Sequence, residues 1–217
     1  VSRPHSPPPP GPAYRLTTPR TLLRPWCPED APALVVAVGD SLTHLRPWMG
    51  WAQERPDVEA TVARLRHLRA EFDADHDFTY GVWEPSGQSV IGGCGLHPRI
   101  GAGALEIGYW LHVDHAGRGL ATEFAAALTR AAFAFHRVHR VEIHCDPLNV
   151  ASARVAEKLG YRHEATLTAR LQRPDGTWRD TMIWTMFAER FASSPAAVVR
   201  VTACDALGRP MDPSLPT

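Results

Sequence analysis

Apolar residues recur along this chain with two different periods, and the switches between them mark out the elements. Arg20 to Trp26 reads as a short strand stopped by Pro28, and Glu29 to Val38 as a helix with acidic residues in its first turn. Ser41 to Trp51, SLTHLRPWMGW, keeps neither period and reads as a polar-aromatic connector. Asp57 is placed to cap a helix through Phe72, with Val58, Val62, Leu65 and Leu68 at helical spacing. Phe78 to Glu84 and Ser89 to Leu96 read as strands joined by a Pro85-Ser86-Gly87 turn, and Leu105 to Val113 as another strand.

The clearest unit follows. Gly117-Arg118-Gly119 breaks the strand pattern, and Leu120, Phe124, Leu128, Ala131 and Phe135 then form the stripe of an amphipathic helix. Arg140 to Cys145 is a strand ended by Asp146-Pro147. Asn149 caps a helix that stops at Gly160, the position of a C-terminal capping glycine. Tyr161 to Leu171 and Asp180 to Phe187 close the pattern as two strands around Pro174-Asp175-Gly176. The expected fold class is α/β in the α+β sense, a mixed and mostly antiparallel sheet flanked by helices. The expected organisation is a proline-rich flexible segment over 1–18, one folded domain over 19–191, and a C-terminal extension over 192–217 in which VVRVT adds one edge strand.

Composition narrows the function classes. The 217 residues carry 23 Lys+Arg against 23 Asp+Glu, so no net basic charge draws the chain to nucleic acid or anionic lipid. No apolar run is long enough to span a bilayer, and SRPHSPPPPGP lacks the pattern of a signal peptide. The four cysteines form no CxxC pair and read as free thiols of a cytoplasmic protein. The His112/His115 and His136/His139 pairs have no further ligands at a known metal spacing, so no metal is expected.

The segment from Val113 to Thr122, VDHAGRGLAT, carries the first candidate chemistry. A strand leads in and a helix leads out, so successive amides converge where the helix end adds about half a positive charge. Such a turn suits a phosphate or pyrophosphate. By itself, GxG also fits an ordinary tight turn. The spacing and lysine of a triphosphate P-loop are absent, and the dinucleotide fingerprint is incomplete.

Three segments taken together, LEIGYWLHVDHAGRGLATEFAAALTRAAFAF, RVEIHCDPLNVASARVAEKLGY and SLTHLRPWMGW, resemble the GNAT superfamily of acetyltransferases, specifically the RimJ/RimL group of protein N-terminal acetyltransferases. The resemblance spans about Thr17 to Phe191. It implies a GNAT fold and an N-acetyltransferase that moves an acetyl group from acetyl-CoA to an amine by direct attack in a ternary complex. The acceptor it implies is the α-amine of a ribosomal or other protein N-terminus. It also implies that the amides around Gly117, Arg118, Gly119, Ala121 and Thr122 hold the coenzyme A pyrophosphate. The family's leading Gln/Arg is replaced by Ala116, which removes one side-chain contact and leaves the backbone cradle.

Acyl transfer needs a neutral amine, a stabilised carbonyl oxygen and a protonated leaving thiolate. An α-amine titrates near about 8, against about 10.4 for lysine, so a modest base suffices. Glu106 is the candidate base or amine-binding group: it interrupts an apolar strand and shares a face with Gly108 and Trp110. In the RimJ/RimL pattern Asn149 holds the pantetheine arm, and Ser152, on the same helix face, lies near the sulfur as candidate acid. Asn149 also fits a plain capping role. The tyrosine that many superfamily members carry four residues before Gly160 is Ala156 here. Arg46, Trp48, Trp51 and Trp110 are the expected acceptor-side residues, with the 174–180 turn bordering the same mouth. Simple packing accounts for the tryptophans equally well.

Two other functions use the same features. One is an acyl-CoA-dependent transferase for a small amine such as an amino sugar, drug or amino acid. The other is an acyl-CoA-binding module without turnover, against which Glu106, Asn149 and Ser152 argue. Acyl-chain length and oligomeric state are left open by the sequence.

Overall fold

A computed structural model describes residues 11–173 and 175–215. Its spine is a ten-stranded sheet. In chain order the strands are β1 (Arg15–Thr17), β2 (Leu22–Pro25), β3 (Phe78–Trp83), β4 (Val90–His97), β5 (Ala104–Leu111), β6 (Arg140–Cys145), β7 (Arg162–Gln172), β8 (Trp178–Phe187), β9 (Thr202–Cys204) and β10 (Pro210–Met211). Their spatial order is β10-β9-β1-β2-β3-β4-β5-β6-β8-β7. Every neighbouring pair is antiparallel except β5 with β6. That parallel pair needs a crossover, and the chain between its strands supplies one.

The crossover is α3 (Leu120–Ala134), whose apolar residues reach nearly all round it. Phe124, Leu128 and Phe135 are fully buried against Ile107 and Ile143 of the sheet, in one core with Leu159 of α4 (Val150–Leu159). The opposite sheet face is covered over β2–β4 by α1 (Ala31–Leu45) and α2 (Val58–Asp73). Asp57 caps α2 as its position suggests, accepting from the amides of Glu59 and Ala60. A short α5 (Ala188–Phe191) follows β8. No described helix is long and apolar enough to cross a membrane.

Two expectations need correction. Helix α1 extends through Leu45, taking in the first half of the supposed connector. Val38, Ser41 and Leu45 are all buried at helical spacing, and the Ser41 hydroxyl accepts the Val113 amide, so a polar letter in the pattern serves a tertiary contact. The sheet also reaches past both limits of the 19–191 body. Arg15–Thr17 pairs with Thr202–Cys204, burying Leu16 and Ala203. Pairing across nearly the whole chain leaves no local period to read. The extension contributes two strands in place of one edge strand, β9 and, outside it at the sheet's edge, β10, while the VVR of VVRVT lies in a 3₁₀ turn and its exit. Pro7 to Pro10 lie outside the described residues, as does Pro174 of the hairpin turn.

Candidate active site

The parallel pair is where the sheet opens. β5 and β6 are in register only from Ala104↔Arg140 to Ile107↔Ile143. β5 then runs on to Leu111 and β6 to Cys145 without pairing to each other. From Gly108 onward, β5 has a main-chain edge with no strand beside it. A cleft of about 1450 Å³ enters this opening and continues across the sheet end toward α1 and α2. Backbone polar groups in such a wedge need a partner, and an extended ligand with amide groups supplies one.

The glycine turn lies at the cleft's α3 end. Gly117 and Gly119 both have left-handed φ, +75° and +77°. Gly119 is the N-cap of α3 and offers no side chain to the first-turn amides. Ala116, Gly117, Gly119, Ala121 and Thr122 all line the cleft, whereas Arg118 does not and is exposed. A brace that the sequence did not signal holds this turn. Glu123 turns back from the helix and accepts from Thr18 Oγ1 at 2.6 Å and from Arg20 Nε at 2.6 Å. Arg20 also donates to the Arg118 carbonyl at 3.0 Å. Burial raises the Glu123 carboxyl, but these donors outweigh it and hold it below its ordinary value. The negative charge that would oppose an anion at the helix start is thus spent on Thr18 and Arg20.

At the far side of the wedge, α4 begins at Asn149. Its Oδ1 accepts the Ser152 amide at 3.1 Å, and among the described residues the side-chain NH₂ has no hydrogen-bond partner. Ser152 Oγ is 2.9 Å from the Tyr109 hydroxyl. Burial pushes the Tyr109 phenol up, so it stays protonated and can donate. Tyr109 therefore supplies a phenol beside Ser152 from the strand side, where Ala156 is fully buried and Tyr161 is occupied with Thr129. Cys145 ends β6 beside the same serine, and burial raises its thiol.

Glu106 is 7% exposed and is held from two sides. Arg99 Nε reaches its Oε2 at 2.8 Å, Arg99 NH2 its Oε1 at 2.5 Å, and His144 Nδ1 lies 3.6 Å from Oε2. Burial raises this carboxyl, but Arg99, His144 and His97 together bring it below its ordinary value. Sequence put Glu106 on one face of β5 with Gly108 and Trp110 but gave no hint that a guanidinium covers both its oxygens. Only the loop from β4 to β5, seven residues back, brings Arg99 there.

Trp48, Trp51 and Trp110 all line the cleft. Trp51 and Trp110 meet edge to face, with centroids 6.0 Å apart, and Arg64 of α2 lies 5.3 Å over Trp51. Arg179, from the hairpin of β7 and β8, donates to the Trp48 carbonyl at 3.3 Å and brings that hairpin to the mouth. Arg46 stands outside this group. Its Nε donates to the Gln53 carbonyl at 2.9 Å, and it does not line the cleft.

Comparison with known proteins adds the following. A family model described as an acetyltransferase (GNAT) domain matches residues 20–162. The probable N-acetyltransferase YjcK of Bacillus subtilis is 30% identical over 129 residues, covering 58% of this chain and 70% of that protein. The [ribosomal protein uS5]-alanine N-acetyltransferase of Escherichia coli is 26% identical over 175 residues, covering 79% and 90%. Among solved structures, Mycobacterium smegmatis RimJ in complex with CoA-disulfide superposes with a TM-score of 0.76 at 28% identity, covering 87% of this chain and 92% of that one.

Proposed function

The chain belongs to the GNAT acetyltransferase family, and from that premise we propose that it moves the acetyl group of acetyl-CoA to the α-amine of a protein or peptide N-terminus. The observation that carries the cofactor assignment is the wedge between β5 and β6 with the uncapped start of α3 at one end. The unpaired edge of β5 suits the amides of a pantetheine arm, and the left-handed Gly117/Gly119 turn suits a pyrophosphate. When bound, acetyl-CoA supplies an activated acyl carbon and a thiolate leaving group.

In this reading each residue has a stated task. The Asn149 side-chain NH₂ donates to the pantetheine arm, and the first-turn amides of α3 hold the diphosphate. The Ser152 hydroxyl passes a proton to the departing sulfur and is resupplied by Tyr109 across their 2.9 Å contact. Glu106, kept ionised by Arg99, attracts the acceptor's ammonium group and sets its approach. Trp48, Trp51 and Trp110 wall the side from which the acceptor enters. The transfer is direct, without an acyl-cysteine. Cys94 and Cys145 are both buried, and burial raises both thiols, the opposite of an activated nucleophile.

The α-amine is favoured by the likeness to a ribosomal-protein alanine N-acetyltransferase and to RimJ. The test is mass spectrometry of a panel of peptides and small amines incubated with acetyl-CoA. Acetylation of peptides with free N-termini, blocked by prior α-amine modification and not by lysine modification, is the expected result. Turnover confined to small amines refutes the acceptor assignment.

A further inference from the structure

A second ionisable pair, which the sequence reading passed over, lies next to Glu106. His97 is the last residue of β4 and stands opposite Glu106 in the β4–β5 register. Its Nδ1 is 2.8 Å from Asp77 Oδ2, and Asp77 is fixed in turn by Thr79 Oγ1 at 3.0 Å. A carboxylate on Nδ1 sets the tautomer: Nδ1 carries the hydrogen and Nε2 carries the lone pair. Among the described residues, Nε2 has no hydrogen-bond partner.

The ring's position follows from two missing side chains. Gly95 and Gly108 are a cross-strand pair, and the imidazole occupies the space that their side chains would fill. A Cβ on Gly95 would come within 2.7 Å of Nε2, and one on Gly108 within 3.1 Å. Gly108 is also the first β5 residue beyond the last β5–β6 pair, so Nε2 sits where the wedge begins. His97 and Asp77 both line the cleft.

We propose that His97 is the general base of the transfer, acting through Nε2, with Asp77 as its positioning residue. This rests on the acetyltransferase reading above and assigns to His97 the step for which Glu106 is poorly suited. Both Glu106 oxygens are taken by Arg99. His144 is the other imidazole nearby, and its nitrogens face Glu142 at 2.7 Å and Glu106 at 3.6 Å. His97 has an open ring nitrogen at the wedge. The titratable and charged groups around it are Asp77 before β3, Glu106 on β5, Arg99 after β4 and His144 on β6, while His67 and Glu71 of α2 line the cleft beyond them.

The step balances as follows. The acceptor's ammonium gives one proton to Nε2, and the freed nitrogen pair forms the C–N bond to the acyl carbon as the C–S bond breaks. The nitrogen's second proton passes to solvent as the C–N bond forms, and solvent returns one to the Tyr109–Ser152 pair that protonates sulfur. Nε2 releases its proton to solvent, so one proton leaves per acetyl group transferred.

His97→Ala and His97→Gln are expected to lower kcat/KM about a hundredfold, leaving the rise in melting temperature with coenzyme A as in the parent. In the parent, kcat/KM falls in acid as Nε2 is protonated. That acid limb should be absent in His97→Gln, and added imidazole should partly restore His97→Ala. Asp77→Asn should lower kcat with little change in the acceptor KM and leave coenzyme A binding as in the parent, because the imidazole loses the partner that fixes its tautomer. Glu106→Gln should retain the limb and show no response to imidazole. The proposal is overturned if His97→Gln keeps the parental rate or limb, if imidazole gives no recovery, or if coenzyme A binding falls along with the rate. These measurements use whichever amine the parent acetylates, so a wrong acceptor leaves the test of His97 intact. A parent that acetylates no amine at all overturns the wider reading instead.

Discussion

The two walls of the cleft are built from different materials. The wall along the glycine turn, the start of α3 and the cap of α4 is mostly backbone: left-handed glycines, first-turn amides and the unpaired edge of β5. Its residues lie close in sequence, from Ala116 to Thr122 and from Asn149 to Ser152. The wall facing it is made of side chains from distant segments. Asp77 meets His97 across 20 residues, and Arg179 meets the Trp48 carbonyl across 131. Arg64 reaches Trp51 from another helix. A backbone site is dictated by local conformation and tolerates exchange of most of its side chains. A side-chain site is dictated by tertiary packing and can be retuned one residue at a time. A transferase that keeps its donor and varies its acceptor needs this division.

The same difference explains what the sequence revealed. The turn, the α3 stripe, the Asn149 cap and the Gly160 stop are local signals, and each was legible. That Glu106, Gly108 and Trp110 share one face of β5 follows from its alternation, a period-two argument that needs no tertiary knowledge. Arg99, His97, Asp77 and Tyr109 were missed because their contacts are with partners on other elements of the fold. His97 had one available signal. Gly95 and Gly108 remove side chains from two otherwise apolar strands, a sign of close approach by something else. Arg46 misled because a cation beside aromatics reads as a binding residue, whereas its partner is the Gln53 carbonyl of its own connector.

The largest effect is expected where backbone conformation is itself the site. Gly119→Val puts a β-branched residue at φ +77°, a conformation that costs a substituted residue roughly 1–2 kcal/mol or more. The cost is conformational, since a Cβ there meets only Arg20 at 3.7 Å. Coenzyme A affinity measured by calorimetry should fall about 10- to 100-fold. Trp51→Ala, on the opposite wall, should raise the acceptor KM and leave coenzyme A affinity unchanged. If both variants weakened coenzyme A equally, the separation of the two walls would be wrong.

A smaller effect is expected at the junction of the walls, where Tyr109 of β5 meets Ser152 of α4. Ser152→Ala should slow a single turnover about tenfold, and Tyr109→Phe by less, because water can resupply the serine proton. Since the two hydroxyls form one relay, the double variant should be little slower than Ser152→Ala alone. Additive losses in pre-steady-state measurements would show two independent roles in place of one proton path.

The smallest effect on rate, and a separable one on stability, is expected at His136. The residue is partly exposed, but among the described residues its Nε2 is buried without a hydrogen-bond partner, and the ring packs on Phe78 with centroids 4.2 Å apart. Burial lowers its pKa from the ordinary 6.5 to about 4. As pH falls below 6.5, the unfolded chain takes up a proton that the folded chain refuses, so stability declines until about pH 4, where both forms are protonated. The loss over that window is at most about 3–4 kcal/mol at 1.36 kcal/mol per pKa unit. His136→Leu removes the titrating group and should flatten the decline, seen as a melting temperature less sensitive to acid between those limits. Near neutral pH it should leave kcat/KM within about twofold, because His136 does not line the cleft. This variant also separates chemistry from scaffold. An acid limb in kcat/KM that persists in His136→Leu belongs to the cleft, whereas a limb that vanishes with it reflects loss of folded enzyme and withdraws the kinetic support for His97.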